Sequence, residues 1–157
     1  TMKKFLAMLI LLTIPALTIF AKGSELSVDD ITTEALMDML DKEYSDNALI
    51  DEDGDLFIKI DGIGIYIEVD EDRELIKLYT QWGDLEKVSE TRLCKLLNKW
   101  NSDKIFATAY SYKDLVVLEH YICTTGGINS VNFNETISWI FGIADSFAEY
   151  LNEEDVL

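Results

Sequence analysis

Apolar residues recur at helical spacing in three stretches of the chain and alternate with polar ones in five others. In the first helical stretch, Ile31 and Leu36 flank a Thr32 cap in the positions of a hydrophobic staple. Leu36, Met39 and Leu40 then share one face, which Tyr44 continues, so a helix is predicted from Thr32 onward. The second stretch repeats the device. Ser89 caps it, Val88 and Leu93 form the staple, and Leu93, Leu96, Leu97 and Trp100 make the apolar stripe before Asn101-Ser102 ends it. The third follows Gly126-Gly127, with Asn132 and Glu135 spaced as a variant capping box. Its core stripe is Phe133, Ile137, Ile140, Ala144, Phe147 and Leu151. A second stripe, Trp139, Ile143 and Tyr150, lies about 100° around the helix, which widens the apolar arc beyond what one sheet contact needs.

Between the first two helices the period drops to two. Asp51 to Asp55 is a cluster of turn formers, after which Leu56, Ile58 and Ile60 alternate with Phe57, Lys59 and Asp61. Asp61-Gly62 is a hairpin signal, because glycine tolerates the positive φ that such turns require. Ile63, Ile65, Ile67 and Val69 alternate with Gly64, Tyr66 and Glu68, and Asp70-Glu71-Asp72 turns the chain again. Leu75 to Trp82 forms a third strand, with Ile76, Leu78 and Trp82 on one face. Beyond the second helix, Ile105–Tyr110 and Leu115–Cys123 form another hairpin about Lys113-Asp114. One polar face per strand predicts an antiparallel sheet covered on one side. The fold class is therefore α+β: an antiparallel sheet of about five strands packed with helices, in the order α-β-β-β-α-β-β-α.

The N-terminus departs from these patterns. Lys3 and Lys4 precede a nearly unbroken apolar run from Phe5 to Phe20, and Ala21 then gives way to Lys22-Gly23-Ser24-Glu25. That sequence of features is a secretory signal peptide. The run is short of the ~20 residues of a membrane span. We expect a leader at 1–21, one domain at 22–157, a periplasmic or secreted location, and no stable membrane insertion once the leader is removed. Retention of the leader as an anchor is the alternative.

Charge narrows the choice of partners. The net charge is −17, and losing Lys3 and Lys4 with the leader leaves 11 basic against 30 acidic residues, or about −19. Phosphate backbones and anionic lipid heads are repelled by such a surface, so no nucleic acid is expected among the partners. Hydrophobic content of 48% marks a folding chain and not an acidic disordered one.

Candidate chemistry is sparse. His120 is the single histidine and stands mid-strand, with Glu119 pointing to the opposite face. Cys94 and Cys123 could be bridged in an exported chain or be two free, mostly buried thiols. Neither has a neighbouring histidine or CxxC partner. Asp51-Glu52-Asp53-Gly54-Asp55 hints at calcium, but placing Gly54 at the sixth loop position puts Leu49 and Ile60 where the first and last ligands belong. It is not an EF-hand. Asn134-Glu135-Thr136 matches a glycosylation sequon inside a predicted helix and carries little weight there. No catalytic residue, cofactor or metal site is predicted, and the chain is read as a non-enzyme.

Leu97-Asn98, Trp100-Asn101, Phe106-Ala107, Ala109-Tyr110 and Gly126-Gly127-Ile128 together resemble the YbjN-type family of bacterial sensory transduction regulators. Asp61-Gly62-Ile63 with Tyr66 is similar to that family's central hairpin. The resemblance covers nearly all of the chain after the leader, and the leader is a departure from it. It implies a fold like that of type III secretion chaperones and a non-enzymatic protein that binds other proteins, with a homodimer among the options. It brings no catalytic residues with it. The residues themselves read as packing: Trp100 fills the helix–sheet contact, while Ala107 and Ala109 leave room for a helix to approach. The expected function is an exported protein-binding, chaperone-like or regulatory module. It would act by apolar contact through the last helix, at Trp139, Ile143 and Tyr150, or through a sheet edge. The alternative is a periplasmic small-molecule or cation sensor.

Overall fold

The computed structural model of the chain describes residues 23–83, 85 and 88–157. The expected leader and its cleavage point lie outside the described residues. In chain order come β1 (Glu25–Leu26), α1 (Thr33–Met39), α2 (Lys42–Ser45), β2 (Ala48–Ile50), β3 (Leu56–Ile60), β4 (Ile63–Asp70) and β5 (Leu75–Trp82). Next are α3 (Glu90–Asp103), β6 (Thr108–Tyr112), β7 (Leu115–Cys123), β8 (Ile128–Asn129) and α4 (Ser130–Glu153). Strands β2-β3-β4-β5-β7-β6, in that spatial order, make one sheet with antiparallel pairing throughout, and β1 pairs with β8 as a separate ribbon.

The fold class stands as α+β with a large antiparallel sheet. The sheet has six strands, because β2 adds a short edge beside β3. Leu56, Ile58, Ile65, Ile67, Ile76, Leu78, Val116 and Leu118 point to one face and are fully buried. Phe133, Ile137, Ile140, Ala144, Phe147 and Leu151 of α4 close over them, so the predicted core stripe is the observed one. Asp61 and Gly62, both at positive φ (50° and 90°), make the β3–β4 hairpin. Thr32 and Ser89 cap α1 and α3 as expected, accepting from the amides of Ala35 and Arg92.

Four local expectations are corrected. The first helix is broken: Leu40 is extended (φ −65°, ψ 137°), so α1 stops at Met39 and α2 begins at Lys42. The break is fastened by buried Asn134 on α4, whose Oδ1 accepts from Asp41 N (2.8 Å) and whose Nδ2 donates to Met39 O (2.8 Å). Burial also takes this asparagine out of consideration as a sequon. Helix α4 begins three residues earlier than predicted. Asn129, not Asn132, is its cap, accepting from Val131 N at 2.9 Å. The strand predicted from Ile105 starts at Thr108, because Phe106 takes a positive φ of 82° and turns the chain out of the strand. Finally, α3 runs on to Asp103, past Asn101.

Candidate functional site

The turn between α3 and β6 gathers Trp100, Asn101, Phe106, Ala107 and Ala109 of the family-like residues. Trp100 lies 4% exposed at the end of α3, its ring 4.7 Å from that of Phe147 and 5.4 Å from that of Tyr150. The side chain of Asn101 accepts from Ala109 N (2.8 Å) and donates to Ala109 O (2.9 Å). Those two groups point away from β7, so one amide side chain supplies at Ala109 what a neighbouring strand would and blunts the outer edge of the sheet there. Ala107 and Ala109 are buried, which lets α3 come this close.

Phe106 is held in its left-handed backbone conformation by His120. The ring Nδ1–H donates to Phe106 O, and the two rings stack 4.0 Å apart and 7° from parallel. A non-glycine residue at positive φ costs energy and persists only where its surroundings fix it. His120 therefore does more than fill a strand position: it fastens this turn. Next to the turn, Ile105 is 81% exposed and Trp139 is 54% exposed, with the Trp139 ring 5.3 Å from Phe106. Trp139, Ile143, Ile105 and Trp100 line a shallow groove of about 250 Å³, rimmed by Asp103, Lys104 and Ser146.

The structure thus joins two of the three interaction residues expected on the last helix and separates the third. Trp139 and half-buried Ile143 share the groove. Tyr150 donates its hydroxyl to Leu96 O (3.1 Å) and packs on Trp100, so it ties α4 to α3. Of the sheet edges, β6 is capped at Ala109 by Asn101, whereas β2 leaves Leu49 and Ile50 exposed.

The two cysteines are both free and exposed. Their exposure corrects the expectation that free thiols would be mostly buried. Cys94 sits on α3 one residue past the buried Leu93, turned off the core stripe, and Cys123 ends β7 opposite Leu75. Cys123 hydrogen-bonds Thr125, which holds its thiol below the ordinary value, and Thr125 donates to Glu74 (2.7 Å). In the acidic turn, Asp51 Oδ1 accepts from Asp53 N (3.0 Å) and Asp55 N (2.9 Å), so that carboxylate serves its own loop. Among the described residues, no three His, Cys, Asp or Glu side chains gather so as to hold a metal ion. Nor is any helix there long and apolar enough to cross a membrane.

Sequence reasoning missed the other face of the sheet. The side opposite the helices, expected to be polar, is tyrosine-rich. Cross-strand pairing puts Phe57, Tyr66 and Tyr79 in one row, with ring centroids 4.6 and 5.1 Å apart. Tyr110, Tyr112 and Tyr121 continue the face on β6 and β7, the last two exposed. The signal was present, since all six rings fall at outward positions of their strands, but alternation reports the face and not how its residues align across strands. Gly64 is part of this arrangement. A Cβ there would come within 2.6 Å of the Phe57 ring, so only glycine leaves that ring its place.

Several of these phenols ionise late. Partial burial, then the charges of Asp55 and Glu68, pushes Tyr79 up to about 12 from the ordinary value near 10. Burial raises Tyr110 as well, helped by its hydrogen bond to Glu119 (2.8 Å). Burial and Glu119 also raise Tyr121. The folded chain holds these protons more tightly than the unfolded one. The resulting stability is complete below pH ~10 and is lost as pH climbs toward the folded value. Urea unfolding at pH 9 and pH 11.5 checks this. The midpoint falls between them, and Tyr79→Phe makes the fall shallower, whereas an equal fall in the variant contradicts the assignment.

A solved structure, the crystal structure of YbjN from E. coli, described as a putative transcription regulator, is similar over 66% of this chain and 79% of that one. The two share 14% identity, with a TM-score of 0.49. No curated protein matches the chain. The sequence model of the YbjN family, described as "Putative bacterial sensory transduction regulator", matches residues 32–153, from the cap of α1 to the end of α4. Over that span, with its Trp100-Asn101 lock and its helix-backed sheet, this chain belongs to the YbjN family.

Proposed function

We propose that the chain is an exported, non-enzymatic module that acts by binding another protein. The groove beside Trp139 is its contact surface. One observation carries this reading. A tryptophan of α4 and an isoleucine of the adjoining α3–β6 turn, 54% and 81% exposed, stand together over a preformed groove, and the Phe106–His120 stack fastens that turn. Large apolar side chains left in water at a rigid position are the usual anchors of interfaces, and tryptophan leads among them. Lys104 and Asp103 at the rim would frame the apolar contact with charge. Family membership supports a regulatory or binding role. The leader read at 1–21 supports export.

A photoreactive amino acid in place of Ser146, at the groove rim, tests the proposal in cell-envelope extract. The expected result is a discrete cross-linked species, a product of twice the chain mass identifying a second copy as the partner. Trp139→Glu should weaken that capture roughly 30-fold, the scale of losing one anchor residue. An unchanged cross-link in the variant would remove this groove from the function.

A further inference from the structure

The tyrosine face of the sheet is chemically different from the Trp139 groove, and among the described residues no helix lies over it. Its rings are interleaved with carboxylates. Glu119 follows Tyr79 in the row that begins Phe57, Tyr66, and Glu68 lies beside Lys77 and Tyr121 in the next. Asp55, with Asp51 and Asp53 close by, stands at the β3 end, where burial and then the charge of Glu68 raise its carboxyl above the ordinary value. Among the described residues, neither Asp55 nor Glu119 has an ion pair. Lys59 and Lys113 stand at opposite ends of the face, the latter over Tyr112.

Lys77 shows what this face accepts. Its ammonium sits 4.4 Å from the centre of the Tyr79 ring and 3.7 Å from the Glu68 carboxylate. An ammonium between an aromatic face and a carboxylate gains from both, and the neutral phenols beside it add further ring faces of the same kind. Glu119 accepts from the Tyr110 hydroxyl and has Tyr121 beside it, which again sets a carboxylate among aromatic rings, and among the described residues no cation is paired with it.

We infer that the open face of the sheet docks a lysine- or arginine-rich segment of a partner protein, its cations over the tyrosine rings and against Glu119 and Glu68. Charge complementarity favours this occupant. A chain of net charge −17 repels a second copy of itself and draws basic segments toward it, and the rings give them a place to stop. This surface does not depend on the Trp139 groove, and either could be present without the other.

The probe is a peptide of eight arginines, titrated calorimetrically into the full chain at about 0.1 M salt, so that long-range attraction is partly screened. Wild type should bind. Glu68→Gln with Glu119→Gln should weaken binding about tenfold, while Glu34→Gln with Glu135→Gln, the same charge change on the helices, should leave it within about twofold. Tyr121→Ala removes an exposed ring and should cost about two- to fivefold, which keeps the question open to test if the double variant unfolds. Lys77→Ala should tighten binding two- to threefold, since it vacates a ring and a carboxylate that the chain now fills itself. Equal weakening by the two glutamine pairs would show that overall charge, not this face, captures the peptide. No binding by wild type, or no tightening in Lys77→Ala, would likewise overturn the assignment.

Discussion

Trp100→Ala should lower the unfolding free energy by about 3–5 kcal/mol, the usual cost of deleting a large buried aromatic side chain. The ring is 4% exposed and touches Phe147, itself fully buried, which in turn meets Trp82 edge-on at 5.3 Å. Removing it opens a cavity between α3, α4 and the sheet and leaves Tyr150 without its main neighbour. Domains of this size have roughly 5–15 kcal/mol in total, so the variant should unfold roughly 10–20 °C earlier. Trp100→Phe should cost far less. The indole N–H is buried and has no hydrogen-bond partner among the described residues, so phenylalanine gives up packing volume but also removes an unsatisfied donor. Thermal melts of both variants separate volume from polarity. Equal losses in the two would mean that the indole nitrogen, and not the ring's bulk, matters.

Asn134→Ala should cost about 2–4 kcal/mol for a different reason. The volume removed is small, but Asp41 N–H and Met39 C=O lose their partner, and each unsatisfied backbone group costs about 1–3 kcal/mol. Asn134→Asp should do no better. A carboxylate could still accept from Asp41 N–H, but it cannot donate to Met39 O or Ser130 O, and its charge would be buried beside both. Urea melts of the two variants measure this. A loss below about 1 kcal/mol in the alanine variant would show that the break at Leu40 holds without its clasp.

These two residues mark how far the sequence could be followed. Trp100 was legible because its spacing from Leu93, Leu96 and Leu97 is local, and helical periodicity reports local spacing. The α4 core stripe and the Asp61-Gly62 turn were legible for the same reason. Asn134 was not. Its partners at the break, Asp41 and Met39, lie more than ninety residues upstream, so the sequence around Leu40 reads as continuous helix. Strand β2 is three residues long and comes two residues after α2, leaving too few positions for alternation to register. The strand reads as starting at Ile105 and running through Phe106, because nothing in an apolar residue announces a positive φ imposed by a histidine fourteen positions away.

The candidate site divides the same way. Trp139 and Ile143 stood out as surplus apolar positions on α4, and the groove unites them. Tyr150 lay on the same predicted stripe, yet α3 covers it, and the packing of one helix against another is not written in the period of either. Outward-facing tyrosines on separate strands each read as a tolerable surface residue. Only the register across β3, β4, β5 and β7 brings them side by side.

Two tryptophans, 100 and 139, face the same groove, and the distinction between them is the measurement that matters most. Trp139→Glu should leave the unfolding free energy within about 1 kcal/mol of wild type, because a half-exposed side chain gives up little packing when it is exchanged for a charge. A destabilisation as large as that of Trp100→Ala would place Trp139 in the core and leave the groove with no surplus apolar surface to offer a partner.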